Sequence, residues 1–329
     1  MPPTAVTAVT AVTAAIPIPA PAAPLAIAPR RILGLALWLV GAGLLAVQGG
    51  DRLLAWLAER PMVGAALRDG TLAALATAAG TLPVLFARRL PEAAHDGLLG
   101  FGAGVMLGAT AFSLVLPGLE SAKALGHGPW GAGTLVAFGL VGGALLLLAL
   151  ERIIPHVHFD QAEDDIGKIS ATATGSARAA HPQVQRVMLF VLAVTLHNLP
   201  EGLAIGVGHG GSEAGATALA MGIALQDIPE GFVVAMALAS VGVGRCWAAV
   251  AGIASGLVEP VMAALGAAVV GSAAMALPWG LALAGGAMLF VISHEIIPES
   301  HRRGRETLAT LGLVGGFAVM MLLDTALGA

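Results

Sequence analysis

Long apolar runs separated by short polar segments are the main pattern along this chain. Nine such runs occur, and most approach the ~20 residues that a transmembrane helix needs. They lie at 32–50, 70–87, 97–119, 130–150, 187–208, 214–240, 246–271, 277–297 and 307–328. The second run is short and contains Pro83, so its helix is expected to begin earlier, near Met62. The pattern predicts an all-α polytopic membrane protein with nine transmembrane helices.

The composition supports this class. Hydrophobic residues make up 57% of the chain and charged residues 11%, and the mean hydropathy is +0.87. Glycine contributes 45 residues, roughly twice its usual ~7% share. Small residues allow transmembrane helices to approach closely, and G-x-x-x-G spacings recur at 100–104–108, 202–206, 252–256 and 312–316. Membrane lipid is therefore the expected environment.

Two further features exclude classes of function. The one cysteine, Cys246, allows neither an intramolecular disulfide nor a metal site built from thiolates. The sequence has no basic stripe with interleaved aromatic residues, so nucleic acid is not an expected partner.

The segments outside the apolar runs predict the domain organisation. Residues 1–31 are rich in alanine and proline, contain the repeat TAVTAVTAVT, and are expected to be a disordered tail. Residues 32–61 are expected to form an extra N-terminal helix and an outer loop, and 62–329 the main transmembrane domain.

The basic residues predict the orientation. If the N-terminus is cytoplasmic, inner loops hold twelve lysines and arginines and outer loops hold four of the chain's sixteen. This bias predicts a cytoplasmic N-terminus and a C-terminus on the periplasmic or extracellular side. The longest inner loop, 151–186, contains His156 and His158 and is either a weak metal-catching loop or an ordinary solvated segment.

A polar insert occurs twice within the apolar runs, as His197-Asn198-Leu199-Pro200-Glu201-Gly202 and as Gln226-Asp227-Ile228-Pro229-Glu230-Gly231. In each insert the glutamate is i+4 from the first polar residue and i+3 from the second, so these side chains share a helix face. At a rise of 1.5 Å per residue both inserts lie roughly 16–20 Å into their helices, near the middle of a ~30 Å hydrocarbon core. Glu259 lies at a similar depth in the next run.

Four carboxylates at this depth must be neutralised by protons or by a cation, since no lysine or arginine accompanies them. Carboxylate and imidazole ligands suit Zn²⁺ and neighbouring divalent metals. Glu201 and Glu230 are each spaced to serve two metal positions. Pro200 and Pro229 interrupt their helices, and interrupted helices at mid-membrane are where transporters bind substrates.

The motifs HNLPEG at 197–202, QDIPEG at 226–231 and SGLVEP at 255–260 resemble the bacterial branch of the ZIP (Zrt/Irt-like) family of divalent metal transporters. The resemblance covers roughly residues 62–329. It implies an eight-helix transporter fold, to which residues 32–50 would add one helix, in the inner (cytoplasmic) membrane of a bacterium. It also implies a homodimer, an elevator-type motion, a binuclear metal centre, Zn²⁺ and Cd²⁺ as transported ions, and no organic cofactor.

The resemblance also implies the metal ligands. The first position would take His197, Glu201, Gln226, Glu230 and Met106, and the second would take Asn198, Glu201, Asp227, Glu230 and Glu259. Many relatives have histidine where Gln226 stands, and an amide is a poorer ligand. The topology then predicts Ser113 and Glu120 at the entrance, and at the exit Glu151, His294, Glu295 and Glu299. Glu120 and Glu299 are alternatively plain interfacial residues.

The sequence leaves two other functions open. An intramembrane metalloprotease is suggested by His294-Glu295-Ile296-Ile297-Pro298, but proline replaces the second histidine of H-E-x-x-H. The other alternative is an ion-coupled transporter of another solute. The sequence has no G-x-x-x-x-G-K-[ST] motif, so the expected activity is transport without ATP, and the chain is not expected to be an enzyme.

Overall fold

The computed structural model describes residues 52, 55–86, 91–153, 180–240 and 242–328. From Trp56 onward these belong to one structural unit. The run 32–50, the tail, His156 and His158 lie outside the described residues, so the extra N-terminal helix and the role of the two loop histidines stay predictions.

The described residues form helices and connecting turns without any strand. The α-helices are α1 Pro61–Thr81, α2 Glu92–Gly108, α3 Leu116–Ala124, α4 Pro129–Ile153, α5 Ala180–Gly208, α6 Glu213–Ser240, α7 Arg245–Gly256, α8 Val258–Ser272, α9 Ala276–Val291, α10 Ile297–His301 and α11 Glu306–Leu327. A π-helical segment, Ala109–Val115, joins α2 to α3, and a second one, Ile292–Ile296, joins α9 to α10. The all-α polytopic class is confirmed.

Seven of the described helical segments are long and apolar enough to cross a membrane. They correspond to the predicted runs from 97–119 to 307–328. Helix α1 begins at Pro61, close to the expected Met62, but is not among the seven because Arg68 and Asp69 lower its mean hydropathy. Helix α5 begins at Ala180, earlier than the predicted 187, which shortens the preceding inner loop.

Helix packing depends on glycine, as the G-x-x-x-G spacing predicts. At every glycine of the four predicted spacings, an added methyl group would come within 3.0 Å of a neighbouring helix. Helix α1 packs between α6 and α8, α5 packs along α8, α2 along α11, and α4 along α9. These close contacts bring both polar inserts and Glu259 into one interior region.

Two π-helical segments interrupt long spans, and each is followed by a proline in the first turn of the next helix. These prolines are Pro117 in α3 and Pro298 in α10. Proline has no N–H and its ring crowds the preceding turn, so the wider π geometry accommodates it without ending the span. The second segment contains Glu295 and therefore sets the direction of a side chain that reaches the site described next.

Candidate metal centre

The centre of the cluster is a group of three carboxylates from two successive helices. One oxygen atom each of Glu201, Asp227 and Glu230 lies within 4.8 Å of the others. Glu201 is fully buried and Asp227 is 2% exposed. A four-residue turn, 209–212, joins α5 to α6, so the two inserts return to the same level of the bundle. The structure therefore brings together the residues that helical spacing predicted to share a site.

The Gln226 amide connects the two inserts. Its Nε2 donates hydrogen bonds of 2.5 Å to Glu201 Oε1 and 2.5 Å to Asp227 Oδ1, and its side chain also bonds to Glu230. Gln226 is 2% exposed, and a methyl group on Gly102 of α2 would lie 3.5 Å from its Oε1. The Gln226 amide thus lies between the carboxylates, and its oxygen faces α2 at Gly102.

Glu259 of α8 completes the cluster. Asn198 Nδ2 donates to Glu259 Oε1 over 3.1 Å, and Thr77 Oγ1 of α1 donates to the same oxygen over 3.2 Å. The Asp227 carboxyl group also lies within hydrogen-bonding distance of Glu259. Four helices, α1, α5, α6 and α8, thus supply polar groups at one level.

Four buried oxygen atoms of this cluster accept no hydrogen bond from any described residue. They are Asn198 Oδ1, Glu201 Oε2, Asp227 Oδ2 and Glu259 Oε2. A buried acceptor without a donor costs about 1–3 kcal/mol, and more if it is charged. Helices α6 and α8 contain no lysine or arginine that could approach these oxygens. Such a set of oxygens matches the chemistry of a divalent cation, which would compensate all of them at once.

His197 connects the cluster to the predicted exit. Its Nε2 lies 2.8 Å from Glu295 Oε2, and Glu295 is in turn within hydrogen-bonding distance of Glu151. The sequence predicted Glu295 at the exit; in the structure it lies in the π-helical segment and contacts His197. The carboxylate cluster and the predicted exit residues Glu295 and Glu151 are therefore connected through His197.

A cavity of about 40 Å³ extends from this cluster toward the ends of α9 and α10. It is lined by His197, Gln226, Glu230, Glu295 and Glu299, together with apolar residues of α2 and α6. Glu299 lies at its far end, where Arg303 Nη2 is 3.4 Å away and Arg302 Nη1 is 3.5 Å away. The predicted exit residue Glu299 is thus buried and paired with arginines rather than free at an interface.

A second cavity of about 570 Å³ lies at the opposite end of the helices. Ser113 and Glu120, the predicted entrance residues, both line it. Ser113 Oγ donates to Asp324 Oδ1 over 2.8 Å. Sequence reasoning missed Asp324, although a lone acidic residue in the apolar run 307–328 was a usable signal. Thr77 was also missed, because a single threonine in a helix carries no signal of its own.

Two of the predicted residues, Met106 and His294, line neither of the two cavities and make none of the cluster contacts described above. Met106 is buried in the hydrophobic core, one turn after Gly102, and does not line the cavity. The exposed His294 ring stacks on Phe290 with 5.0 Å between ring centroids. Successive residues of a helix point in different directions, so His294 faces away when Glu295 faces inward.

The fold and the site together define an all-α membrane protein with a candidate metal centre buried among its helices. A family model described as ZIP Zinc transporter matches residues 158–324. The zinc transporter ZIPB of Bordetella bronchiseptica is 45% identical over 301 residues, which cover 91% of this chain and 93% of the relative. The zinc transporter GufA of Myxococcus xanthus is 42% identical over 81% of this chain and 100% of the relative. The zinc transporter ZIP11 of Homo sapiens is 33% identical over 77% of this chain and 94% of the relative.

The chain therefore belongs to the ZIP family of membrane transporters, and it is not an enzyme. The resemblance that the three motifs indicated is confirmed. The metalloprotease alternative is excluded with it, and the glutamate of the incomplete H-E-x-x-H pattern contacts His197 instead.

Proposed function

We propose that the protein moves Zn²⁺, and also Cd²⁺, across the inner membrane of a bacterium into the cytoplasm, down the metal gradient and without ATP. The observation that carries this proposal is a cluster of four carboxylates in which four buried oxygens have no donor within the described part of the chain. The relatives named above are zinc transporters, which agrees with this substrate. The basic residues support a cytoplasmic N-terminus, so the cavity ending at Glu299 would open toward the cytoplasm.

The proposed centre holds two metal ions. His197, Glu201, Gln226 and Glu230 would hold the first, with Met106 only after a local rearrangement. Asn198, Glu201, Asp227, Glu230 and Glu259 would hold the second, so that Glu201 and Glu230 bridge. Two dications carry four positive charges, which balance four ionised carboxylates in a region of low polarity.

Release would begin at His197. Glu295 already lies 2.8 Å from His197 Nε2, so the metal and Glu295 would compete for the same nitrogen. A metal leaving the centre would meet Glu295 and Glu151 first and Glu299 at the end of the cavity. Ser113, Glu120 and Asp324 would bind the metal at entry.

Alternating access would let the substrate pass between the two cavities. The lining of the small cavity includes residues of the centre, whereas the lining of the large one does not. We propose an elevator motion in which α1, α5, α6, α7 and α8 carry the centre past α2, α4, α9 and α11 within each chain of a homodimer. The packing supports this division, since the helices of each set pack mainly on one another.

Flux through liposomes tests the proposed function. Purified full-length protein is reconstituted into vesicles that contain a metal-sensing dye, and Zn²⁺ or Cd²⁺ is added outside. We expect dye responses to both ions without nucleotide, loss of flux in Glu201→Ala, and normal flux in Glu213→Gln, an exposed acidic residue of α6. Absence of flux for both metals, or a requirement for ATP, would overturn the proposal.

A further inference from the structure

Helix α1 contributes one hydroxyl group to the candidate centre. Thr77 is 3% exposed, and its Oγ1 lies 3.2 Å from Glu259 Oε1 and 3.3 Å from the backbone oxygen of Ala73. A hydroxyl has one proton to donate, and a buried carboxylate oxygen is a stronger acceptor than a backbone oxygen already in a helix. The Thr77 hydroxyl is therefore expected to donate its proton to Glu259 rather than to the backbone oxygen of Ala73.

The packing of the two polar inserts determines where Thr77 lies. A methyl group on Gly202, the last residue of the first insert, would collide with the backbone of Glu259. A methyl group on Gly231, the last residue of the second insert, would collide with the backbone of Thr77. Thr77 thus has the same relation to the second insert that Glu259 has to the first.

A third glycine, in α7, allows that helix to pack closely against the side chain of Thr77. A methyl group on Gly256 of α7 would come within 3.0 Å of Thr77 Cβ. The threonine therefore packs closely against both α6 and α7 beside Glu259. A residue held this way can specify the orientation of its partner at little entropic cost.

The hydrogen bonds to Glu259 are distributed unevenly over its two oxygens. Oε1 accepts from both Thr77 and Asn198, whereas Oε2 is buried and accepts from no described residue. Two donors on one oxygen fix the rotation of the carboxylate and leave the other oxygen for a cation. Groups that orient a metal ligand in this way commonly change metal affinity 10- to 100-fold.

We propose that Thr77 is a positioning residue for the second metal position, acting through Glu259. This inference rests on the proposed binuclear centre. The Thr77 hydroxyl holds Glu259 Oε1 so that Oε2 faces the metal, and it does not bind the metal itself. Removal of the hydroxyl lets the carboxylate rotate, so the second metal is held more weakly while the first is unaffected.

The test measures zinc binding to detergent-purified full-length protein at buffered free Zn²⁺ concentrations. Thr77→Val removes the hydroxyl and keeps the branched shape, and Thr77→Ser keeps the hydroxyl. We expect the second zinc to bind about 10- to 100-fold more weakly in Thr77→Val, with the first unchanged and with recovery in Thr77→Ser. Thr71→Val on the same helix is the matched control, because the exposed Thr71 hydroxyl bonds only to the backbone oxygen of Leu67.

A double variant separates positioning from general damage to the fold. If Thr77 acts through Glu259, Thr77→Val in a Glu259→Gln background should cause no further loss of zinc. Thr77→Ala is a second test if the valine variant does not fold, and thermal unfolding in detergent identifies that case. Normal affinity in both variants, failure of Thr77→Ser to recover, or additive losses would each overturn the assignment.

The two proposals fail in different ways. One zinc or none per wild-type chain at saturation would overturn the binuclear centre, and with it this assignment. Two zincs in wild type with unchanged binding in Thr77→Val would overturn only the role of Thr77.

Discussion

At the scale of single residues, Glu201 is the group on which both inserts converge. Its Oε1 accepts the hydrogen bond from Gln226, while its Oε2 is buried and has no donor among the described residues. His197 and Glu259 contact different neighbours, Glu295 and Thr77. In the proposed centre Glu201 is therefore a ligand of both metals, as is Glu230, whereas His197 and Glu259 each serve one metal.

This arrangement predicts three different losses of zinc. Glu201→Ala should weaken both metal positions because it removes a shared carboxylate. His197→Ala should weaken only the first and Glu259→Ala only the second. Anomalous scattering at the zinc edge measures the two positions separately. One peak per chain in the wild type, or two full peaks in Glu201→Ala, would contradict shared ligation.

A second prediction at this scale separates two neighbours in the sequence. Glu295 contacts His197 inside the cavity, whereas the His294 ring stacks on Phe290. Glu295→Ala should therefore change the transport rate several-fold while the tightest metal stays bound, because binding does not need Glu295. His294→Ala is the matched control and should transport at the wild-type rate. Liposome flux together with bound-metal content checks both, and equal effects of the two substitutions would contradict the assignment.

At the scale of helices, ion pairs connect α2 to the segment between α10 and α11. Asp96 of α2 is fully buried, with Arg303 Nη1 3.3 Å from its Oδ1 and Arg305 Nη1 3.6 Å from its Oδ2. Arg303 also pairs with Glu299, which lines the small cavity. This network anchors the end of the cavity to α2.

Loss of the Asp96 charge should destabilise the protein. Asp96→Asn removes the fully buried one of the two carboxylates that pair with Arg303, whose own side chain is only 19% exposed. Breaking a buried ion pair costs about 3–5 kcal/mol, and the figure should be near the lower end because Arg303 retains Glu299. Thermal unfolding in detergent measures it as a lower Tm. Glu306→Gln, an exposed change at the start of α11, is the control, and an equal Tm for both variants would contradict the anchor.

The helices also show how far sequence reasoning extends. Apolar length predicted the described spans, and i, i+4 spacing predicted the cluster around Glu201, because both depend on local geometry. The contact of Glu295 with His197 depends on a π-helical segment, and the pairing of Asp96 with Arg303 joins residues 207 positions apart. Long-range contacts of this kind arise from packing, so no local pattern in the sequence predicts them.

At the scale of the whole molecule, the described helices from Pro61 onward surround a small acidic interior and expose apolar side chains. Large apolar side chains are exposed along α4 and along α7 and α8, including Phe138, Leu146 and Trp247. These faces suit contact with lipid, and no water can reach the cluster through them. The four carboxylates must therefore be neutralised by whatever arrives through the cavities.

Protons and metal ions should accordingly compete for the same oxygens. Ligands bind a metal in their deprotonated form, so zinc binding should release protons, and zinc affinity should fall as the pH is lowered. Potentiometry of purified protein in weakly buffered solution would record acidification on addition of Zn²⁺. Glu201→Gln should release fewer protons per chain, whereas Glu213→Gln should match the wild type. Zinc binding without any proton release would mean that the buried carboxylates are already ionised before metal binds, which would contradict their neutralisation by protons in the metal-free protein.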